Sequence, residues 1–320
     1  GSGTPYTNVQ EKPRTTALWS MISSVARRGW RILKIVRRYK PDLMIGTAFE
    51  LAHIGKLTGI PFVSVNEDDA DMIPLWSKYS YPWASYVLSP FVCDNGKWND
   101  KTLNYNSYHE LAYLHPDHFT PNPEVVEKYF STRSPYVIMR FAQLTAHHDS
   151  GISGINLDIS NELVKIIKPH ADIYITSERP LEKELEPYRL RIDPLDMHHV
   201  LAFATLYIGD SQTMAAEAGV LGTPFIRFND FVGKLGYLAE LEDKYRLGYG
   251  IETKDVKKLY DTANQLINDP NLKEKFRARR QNMLSEKLNT ADFLTWFIAN
   301  YPDSVEKTKS KTKVDKRLLV

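Results

Sequence analysis

Short apolar runs alternate with amphipathic segments over most of the chain, and this alternation predicts an α/β fold with parallel strands. The runs are rich in β-branched and aromatic residues, as expected of buried strands. The predicted strands are residues 43–45, 62–65, 86–88, 136–141, 173–176, 206–208 and 225–228. Several begin just after a proline, as at Pro41, Pro61 and Pro224. Proline ends a helix and is poorly accommodated in a central strand, so these positions support the assignment.

The alternation breaks between residues 115 and 135, a stretch with four prolines and no sustained periodicity. We therefore predict two Rossmann-like domains facing a cleft, over residues 5–130 and 135–300. The first opens on a long helix over residues 15–39, where such a domain ordinarily opens with a strand, so we expect it to lack its first βα unit. The charged residues 303–320 are expected to be disordered.

The composition narrows the class of protein. The chain has 320 residues, 42% of them hydrophobic, which suffices for a large core. Its net charge of +2 gives no argument for a nucleic-acid partner. Cys93 is the one cysteine, so there is no intrachain disulfide and no cysteine-based metal site. No apolar run approaches the roughly 20 residues of a membrane span, and the expected location is the cytoplasm.

The segment "GDSQTMAAEAGVLGTPFIRFND", residues 209–230, carries the main chemical signal. A strand ends at Gly209 and a helix of small residues begins at Ser211, whose exposed N–H groups and dipole would attract an anion. Further along, the Glu217 carboxylate could hold the vicinal hydroxyls of a ribose. The pattern therefore favours a nucleoside diphosphate ligand. In the alternative, this is a plain βαβ unit in which Asp210 or Ser211 only caps the helix and Glu217 is solvated.

This segment resembles the donor-nucleotide segment of GT-B glycosyltransferases and of the related UDP-N-acetylglucosamine 2-epimerases. More closely, the chain resembles a microbial family known as domain of unknown function 354, which is placed in the GT-B group. The matching stretches are residues 104–121, 136–151, 175–224 and 231–250. The resemblance implies that Ser211 lies near the pyrophosphate and that Glu217 holds the ribose. It also implies that helix dipoles and basic side chains stabilise the leaving diphosphate, without a metal or another cofactor.

The resemblance extends to a set of nucleotide-sugar-binding residues. They are Arg140, Ser177, Glu178, His198, Asp210, Ser211, Gln212, Thr213 and Glu217. Arg140 ends a predicted strand, and its guanidinium suits a pyrophosphate clamp. A structural ion pair with a buried acid is the alternative for Arg140. The backbone of residues 191–197 is expected to read the nucleobase.

Five histidine and aspartate positions near this set are open to a simpler explanation. His198 and His199 begin an apolar helix, where a packing or capping role is the alternative to ligand binding. His147, His148 and Asp149 carry ligand-type side chains but lack a distant partner in the sequence. We therefore expect no metal site.

A catalytic base is sought in the first predicted domain. Glu67, Asp68 and Asp69 follow a predicted strand, where a carboxylate could take the proton of an acceptor hydroxyl. The alternative is a solvated acidic loop. His109 and Glu110, near the predicted domain crossing, compete for the same role.

The predicted opening helix is basic and amphipathic, and residues 18–40 could lie on an anionic membrane at its inner face. The alternative is a domain helix with a solvated basic face. Membrane contact would suit a lipid-linked acceptor. The expected partners are accordingly a nucleotide-sugar donor and a glycan or lipid-linked acceptor, with no nucleic acid.

Taken together, the sequence predicts a glycosyltransferase that uses a nucleotide-sugar donor, UDP-linked by analogy. A nucleotide-sugar 2-epimerase or hydrolase on the same scaffold is one alternative, and it would turn over the donor with no acceptor present. A non-catalytic nucleotide-sugar-binding protein is another, because a fold does not guarantee a reaction.

Overall fold

The computed structural model describes residues 7–9, 18–131, 134–142 and 154–309, with the side chains of residues 18–23 outside this description. The described residues form two compact units, each built around a parallel β-sheet with helices. The prediction of an α/β protein with two Rossmann-like domains is confirmed.

The first unit holds a four-stranded parallel sheet in the order β1-β2-β3-β4. Its strands are β1 (Met44–Gly46), β2 (Phe62–Val65), β3 (Tyr86–Pro90) and β4 (Thr102–Tyr105). Its first three helices are α1 (Leu18–Tyr39), α2 (Phe49–Thr58) and α3 (Pro74–Tyr79). Phe62 of β2 packs in one apolar cluster with Val36 of α1 and Ile54 of α2, so burial of these side chains fixes both helices on the sheet.

The second unit holds a five-stranded parallel sheet in the order β6-β5-β7-β8-β9. Its strands are β5 (Tyr136–Phe141), β6 (Asp172–Ser177), β7 (Leu206–Gly209), β8 (Phe225–Phe228) and β9 (Gly248–Ile251). Its helices are α4 (Pro123–Glu127), α5 (Leu157–Ile167), α6 (Met197–Phe203), α7 (Gln212–Leu221), α8 (Gly236–Ala239), α9 (Val256–Ile267), α10 (Leu272–Glu286) and α11 (Thr290–Ala299). The last residues of α11, from Phe297, belong to the first unit.

The strand order of the second sheet creates a topological switch. The chain passes from β5 outward to β6 and then returns to β7 on the opposite side of β5. Ligands of open α/β sheets bind at the carboxyl ends of the strands where the order reverses in this way. In this unit that point lies between the end of β5 and the end of β7, where Arg140 is paired in register with Gly209.

The small residues of α7 serve its packing on the sheet. Ala215, Ala216 and Ala218 have no exposed surface. A Cβ on Gly219 would lie 2.9 Å from the Phe225 ring of β8, closer than real contacts allow. The low side-chain volume of α7 therefore brings the whole helix close to the strands rather than only its first turn.

The domain boundary predicted at residues 130–135 is corrected. Residues 106–130 belong to the second unit, and the chain returns to the first unit at Phe297. Long-range hydrogen bonds account for this division, because Ser107 Oγ donates to the Leu288 carbonyl at 2.6 Å and Thr290 Oγ1 donates to the Tyr108 carbonyl at 2.6 Å. Pro116, Pro121 and Pro123 thus lie within one unit and do not mark a domain boundary.

The predicted disordered tail is corrected in its first part. Residues Asp303–Lys309 form helix α12, in the first unit. Val305 is buried, and Ser304 Oγ donates to the Phe297 carbonyl at 2.7 Å. The sequence of this helix is mostly charged, so its few buried positions could not be recognised from the sequence. Residues 310–320 lie outside the described part of the chain.

None of the helices in the described ranges is both long enough and apolar enough to cross a membrane.

Candidate functional site

The candidate site lies in the second unit, at the carboxyl ends of β5, β6 and β7. The register brings Arg140 beside Gly209 and Phe141 beside Ser177, so the ends of the three strands are adjacent. Asp210 and Ser211 follow β7 directly and lead into α7. Sequence positions as far apart as Arg140 and Ser211 are thereby gathered at the topological switch.

The N-terminus of α7 has a well-formed cap. Ser211 has extended backbone angles, and its Oγ accepts a hydrogen bond from the Met214 N–H at 3.4 Å. The first N–H groups of a helix have no partner within it and carry the positive end of the helix dipole. Gln212 is half-buried and Thr213 is exposed, so this turn is accessible to a ligand. An anion is the ligand that such a turn favours.

The strand end before this turn leaves no room for a side chain at Gly209. A Cβ there would lie 2.4 Å from Tyr207 Oη and 2.9 Å from Arg140 Cβ. Glycine is therefore required by close packing between β5 and β7, and this packing sets the position of the turn.

The Asp210 side chain is hydrogen-bonded to the backbone around the site. Its carboxylate accepts from the Ala142 N–H at 2.6 Å and from the Ile155 N–H at 3.4 Å. Its side chain is buried, and burial raises the pKa of Asp210 to about 6, against the opposing effect of these backbone N–H groups. The carboxylate is thus committed to the protein backbone.

A buried polar network also holds the backbone of Asp210. Asn229 Nδ2 donates to the Asp210 carbonyl at 3.0 Å, and Arg227 donates to Asn229 Oδ1 at 3.2 Å. Arg227 is fully buried and its guanidinium is paired with both oxygens of Glu242, at 2.9 and 3.1 Å. Such a fully bonded ion pair holds its geometry, because breaking it would leave a buried charge without a partner.

Glu217, two turns into α7, is held by two side chains. Its Oε1 accepts from Tyr113 Oη at 3.0 Å and lies 3.0 Å from His198 Nε2. The rings of Tyr113 and His198 lie 5.5 Å apart, and the Glu217 side chain is only 12% exposed. Within the described residues, Oε2 has no hydrogen-bond partner. Glu217 is therefore a positioned carboxylate and not a solvated one.

The two histidines at the start of α6 have different partners. His198 contacts Glu217, whereas His199 Nδ1 accepts from the Asn122 N–H at 3.0 Å. The His199 ring also lies 4.8 Å from Phe119. His199 thus has the packing role described above as the alternative, and His198 lies beside the candidate site.

The guanidinium of Arg140 is occupied within the protein. It pairs with Glu178, which follows β6, and donates to Thr176 Oγ1 at 2.9 Å. The Glu178 side chain is 48% exposed, so the partner of Arg140 is an accessible acid and not the buried one of the alternative interpretation. Arg140 Nε is buried and has no hydrogen-bond partner in the described part of the chain. Ser177 Oγ donates to the Arg179 carbonyl at 2.7 Å.

Two side chains of the site were not predicted from the sequence. Arg179 follows β6, packs over the Phe141 ring and donates to the Ile155 carbonyl at 2.8 Å. Tyr113 lies 104 positions before Glu217. Neither has a sequence signal of its own, because their neighbours are brought together only by the fold.

The candidate bases lie in two different units. Glu67, Asp68 and Asp69 follow β2 in the first unit, where Asp69 Oδ1 accepts from the Asp94 N–H at 2.7 Å. Asp68 N–H donates to Asn66 Oδ1 at 3.2 Å, which fixes the start of this loop. His109 begins a short helical turn in the second unit.

Among the described residues, no three or more His, Cys, Asp or Glu side chains are grouped so that they could hold a metal ion. His147, His148 and Asp149 lie outside the described residues. The expectation of a reaction without metal stays a prediction.

The fold matches that of known structures, and the chain has the GT-B-type fold of two Rossmann-like units. The chain belongs to the family described as "Protein of unknown function (DUF354)", whose profile matches residues 13–289. A comparison with curated proteins gives no significant match.

Three solved structures illustrate the similarity of fold. The S. aureus MnaA structure with UDP has a TM-score of 0.61 at 14% identity, covering 92% of this chain and 85% of that one. A UDP-N-acetylglucosamine 2-epimerase has a TM-score of 0.57 at 15% identity, with coverages of 91% and 81%. The Streptomyces sp. SF2575 glycosyltransferase SsfS6, complexed with thymidine diphosphate, has a TM-score of 0.51 at 13% identity, with coverages of 85% and 73%.

Proposed function

We propose that the protein is a glycosyltransferase that takes a sugar from a nucleotide-sugar donor, UDP-linked, and passes it to a glycan or lipid-linked acceptor. The observation that carries this proposal is the pairing of an accessible helix N-terminus at the switch point with a fixed carboxylate, Glu217, on the same helix. A diphosphate and a ribose are the two parts of a nucleotide that these groups would recognise.

In this proposal the diphosphate lies on the first turn of α7. The N–H groups of Gln212 and Thr213 and the hydroxyl of Ser211 would contact the phosphate oxygens. The helix dipole and these N–H groups stabilise the negative charge that grows on the diphosphate as the sugar leaves. Arg140 would add a cation if its partner Glu178, which is half-exposed, rotates towards solvent.

The ribose would be bound by Glu217. Tyr113 and His198 hold Oε1, so Oε2 is directed without further loss of side-chain freedom. A hydroxyl of the ribose would donate to Oε2. His198 would then lie beside the nucleoside, and residues 191–197 would contact the base through their backbone.

The acceptor would be activated by one of the candidate bases. The candidates are Glu67, Asp68 and Asp69, which follow β2, with His109 as the competing residue. One Asp69 oxygen accepts from the Asp94 N–H at 2.7 Å. The basic helix α1 would bring the protein to the membrane face that carries a lipid-linked acceptor.

A second candidate function has a specific observation in its favour. The UDP-N-acetylglucosamine 2-epimerase aligns with a higher TM-score than the glycosyltransferase SsfS6, 0.57 against 0.51. The epimerase proposal uses the same donor site but needs no acceptor.

Donor turnover distinguishes these functions. The protein is incubated with UDP-N-acetylglucosamine, and with the TDP- and GDP-linked sugars, and products are followed by chromatography and by the anomeric proton signals. A transferase releases nucleotide only when an acceptor is added, whereas an epimerase or hydrolase changes the sugar in its absence. Binding without either change would indicate a nucleotide-sugar-binding protein without catalytic activity. The absence of both binding and turnover would contradict the proposal.

A further inference from the structure

The first unit contains an apolar pocket of about 300 Å³ that the proposed reaction does not use. It is lined by three helices of that unit. Val25 and Arg28 come from α1, Phe49 begins α2, and Trp76 belongs to α3. Pockets of this size and lining are typical of sites for small apolar groups.

The pocket is lined by few polar groups, and they differ in whether they already have a hydrogen-bond partner. Arg28 is neutralised by Glu50, to which its Nε donates at 2.6 Å. The indole Nε1 of Trp76 is buried and has no hydrogen-bond partner in the described part of the chain. A buried donor without a partner costs free energy that a ligand acceptor atom would recover. The pocket thus offers a carbon surface with an unused N–H donor on Trp76.

The apolar surface continues outward from the pocket. The rings of Trp76 and Phe49 lie 6.1 Å apart, those of Phe49 and His53 6.0 Å, and those of His53 and Trp83 5.9 Å. On the rim, Leu75 is 64% exposed and Tyr79 is 51% exposed. Contiguous exposed apolar surface of this sort marks an interaction site.

The charged side chains of helix α1, which lines one side of the pocket, all have one sign. Helix α1 spans 22 residues and carries no aspartate or glutamate. Its exposed basic residues include Lys34, Arg37 and Arg38, and Lys34 Nζ lies 3.5 Å above the ring of the exposed Trp30. Basic and aromatic side chains on one helix suit the interface of an anionic membrane, where the cations meet phosphates and the rings lie at the headgroup level.

We propose that this pocket seats an acyl chain of an anionic membrane lipid, whose phosphate is bound by the basic side chains of α1. Every group involved lies in the first unit, so the proposal holds whether or not the second unit binds a nucleotide sugar. The occupant is a membrane lipid and not an acidic peptide, because a peptide would satisfy the basic helix but would leave the apolar pocket and its aromatic rim uncovered.

Vesicle co-sedimentation of the full chain tests the apolar contribution. Phosphatidylcholine vesicles with and without phosphatidylglycerol are compared for the native protein and for Leu75→Ser with Tyr79→Ser. Both side chains are exposed, so folding is preserved. We expect binding to the anionic vesicles only, and a loss of about tenfold in the partition coefficient for each side chain. The matched control is Leu57→Ser, 68% exposed on α2, which should bind like the native protein.

The charge contribution has its own pair of variants. Lys34→Gln with Arg38→Gln should lower partitioning about fivefold for each charge removed, because a basic residue near an anionic surface contributes on the order of 1 kcal/mol. Lys165→Gln with Lys257→Gln removes the same charge from exposed positions of the second unit and should change nothing. Equal losses in the two pairs would contradict the proposal.

Chain insertion is tested directly by fluorescence. Phosphatidylglycerol with brominated acyl chains should quench part of the tryptophan emission, and the quenched part should be smaller in Trp76→Phe but unchanged in Trp296→Phe. Quenching that is unchanged by Trp76→Phe, or binding that is independent of the Leu75 and Tyr79 substitutions, would overturn the proposal. A nucleotide assay that fails would not affect either result.

Discussion

His198 Nε2 lies 3.0 Å from Glu217 Oε1, and the two residues come from neighbouring helices, α6 and α7, of one unit. The same oxygen accepts from Tyr113. The carboxylate is therefore oriented before any ligand arrives, with one oxygen held and the other available. This arrangement is the physical basis of the proposed ribose site.

Removal of the carboxylate should weaken nucleotide binding. Glu217→Ala is expected to lower the affinity for a UDP-sugar by about 3 kcal/mol, on the order of a hundredfold, because hydrogen bonds to a charged acceptor are lost. Isothermal titration calorimetry measures the change. Glu274→Ala, an exposed glutamate in the first turn of α10, is the control and should bind like the native protein. An unchanged affinity for Glu217→Ala would exclude the residue from the site.

The hydrogen bond between His198 and Glu217 should appear as an energetic coupling. A double-mutant cycle with His198→Ala and Glu217→Ala is expected to give a coupling free energy of about 1 kcal/mol in nucleotide affinity. The reason is that the effects of substituting two residues in contact do not add. The His198 substitution should lower affinity mainly when Glu217 is present. Fully additive effects would mean that His198 does not act through the carboxylate.

The close packing at the end of β7 predicts a specific rescue. Gly209→Ala should lower the free energy of unfolding by roughly 1 to 3 kcal/mol, because the new methyl group would overlap Tyr207 Oη and Arg140 Cβ. Tyr207→Phe removes the nearer of these atoms and should restore part of the stability. Chemical denaturation measures both variants. Gly29→Ala in α1, where a Cβ meets only an ordinary contact at 3.9 Å, is the control. Equal losses at both glycines would contradict the packing argument.

The raised pKa of Asp210 predicts a pH dependence of stability. Since burial raises the pKa from 3.8 to about 6, the folded state binds the proton more tightly than the unfolded state. The contribution of this residue is therefore fully favourable below pH 3.8 and is lost as the pH rises through about 6. The full change corresponds to about 3 kcal/mol.

Asp210→Asn isolates this contribution from the other acids. The difference in free energy of unfolding between the variant and the native protein should rise in favour of the variant between about pH 4 and 6 and level off above it. Denaturation curves over that range measure the difference. A difference that stays constant with pH would show that Asp210 titrates near its ordinary pKa.

Seven of the nine strands in the described residues were predicted from the sequence, and the remaining two were not. The seven predicted strands all correspond to strands of the structure, β2, β5 and β8 with the same bounds. Strand β4, with sequence TLNY, is buried only at alternate positions. Strand β9, with sequence GYGI, carries two glycines. A short apolar run reveals a strand, whereas the polar positions of β4 and the two glycines of β9 leave no such run.

The candidate site was predictable to the extent that it is local. The strand end, the Ser211 cap and the helix with Glu217 are contiguous in sequence, so their pattern could be read directly. The partners that orient Glu217 lie 19 and 104 positions away, and no periodicity connects them. The commitment of Asp210 to backbone N–H groups likewise depends on the fold, because a sequence does not show which acids are buried.

A crystal structure with a bound UDP-sugar tests the central claim most directly. The account predicts density for the diphosphate at the first turn of α7, with phosphate oxygens within hydrogen-bond distance of the Gln212 and Thr213 N–H groups. It also predicts a ribose hydroxyl on Glu217. Density for the nucleotide elsewhere in the protein, with the turn after Ser211 free of ligand at saturating concentration, would contradict it.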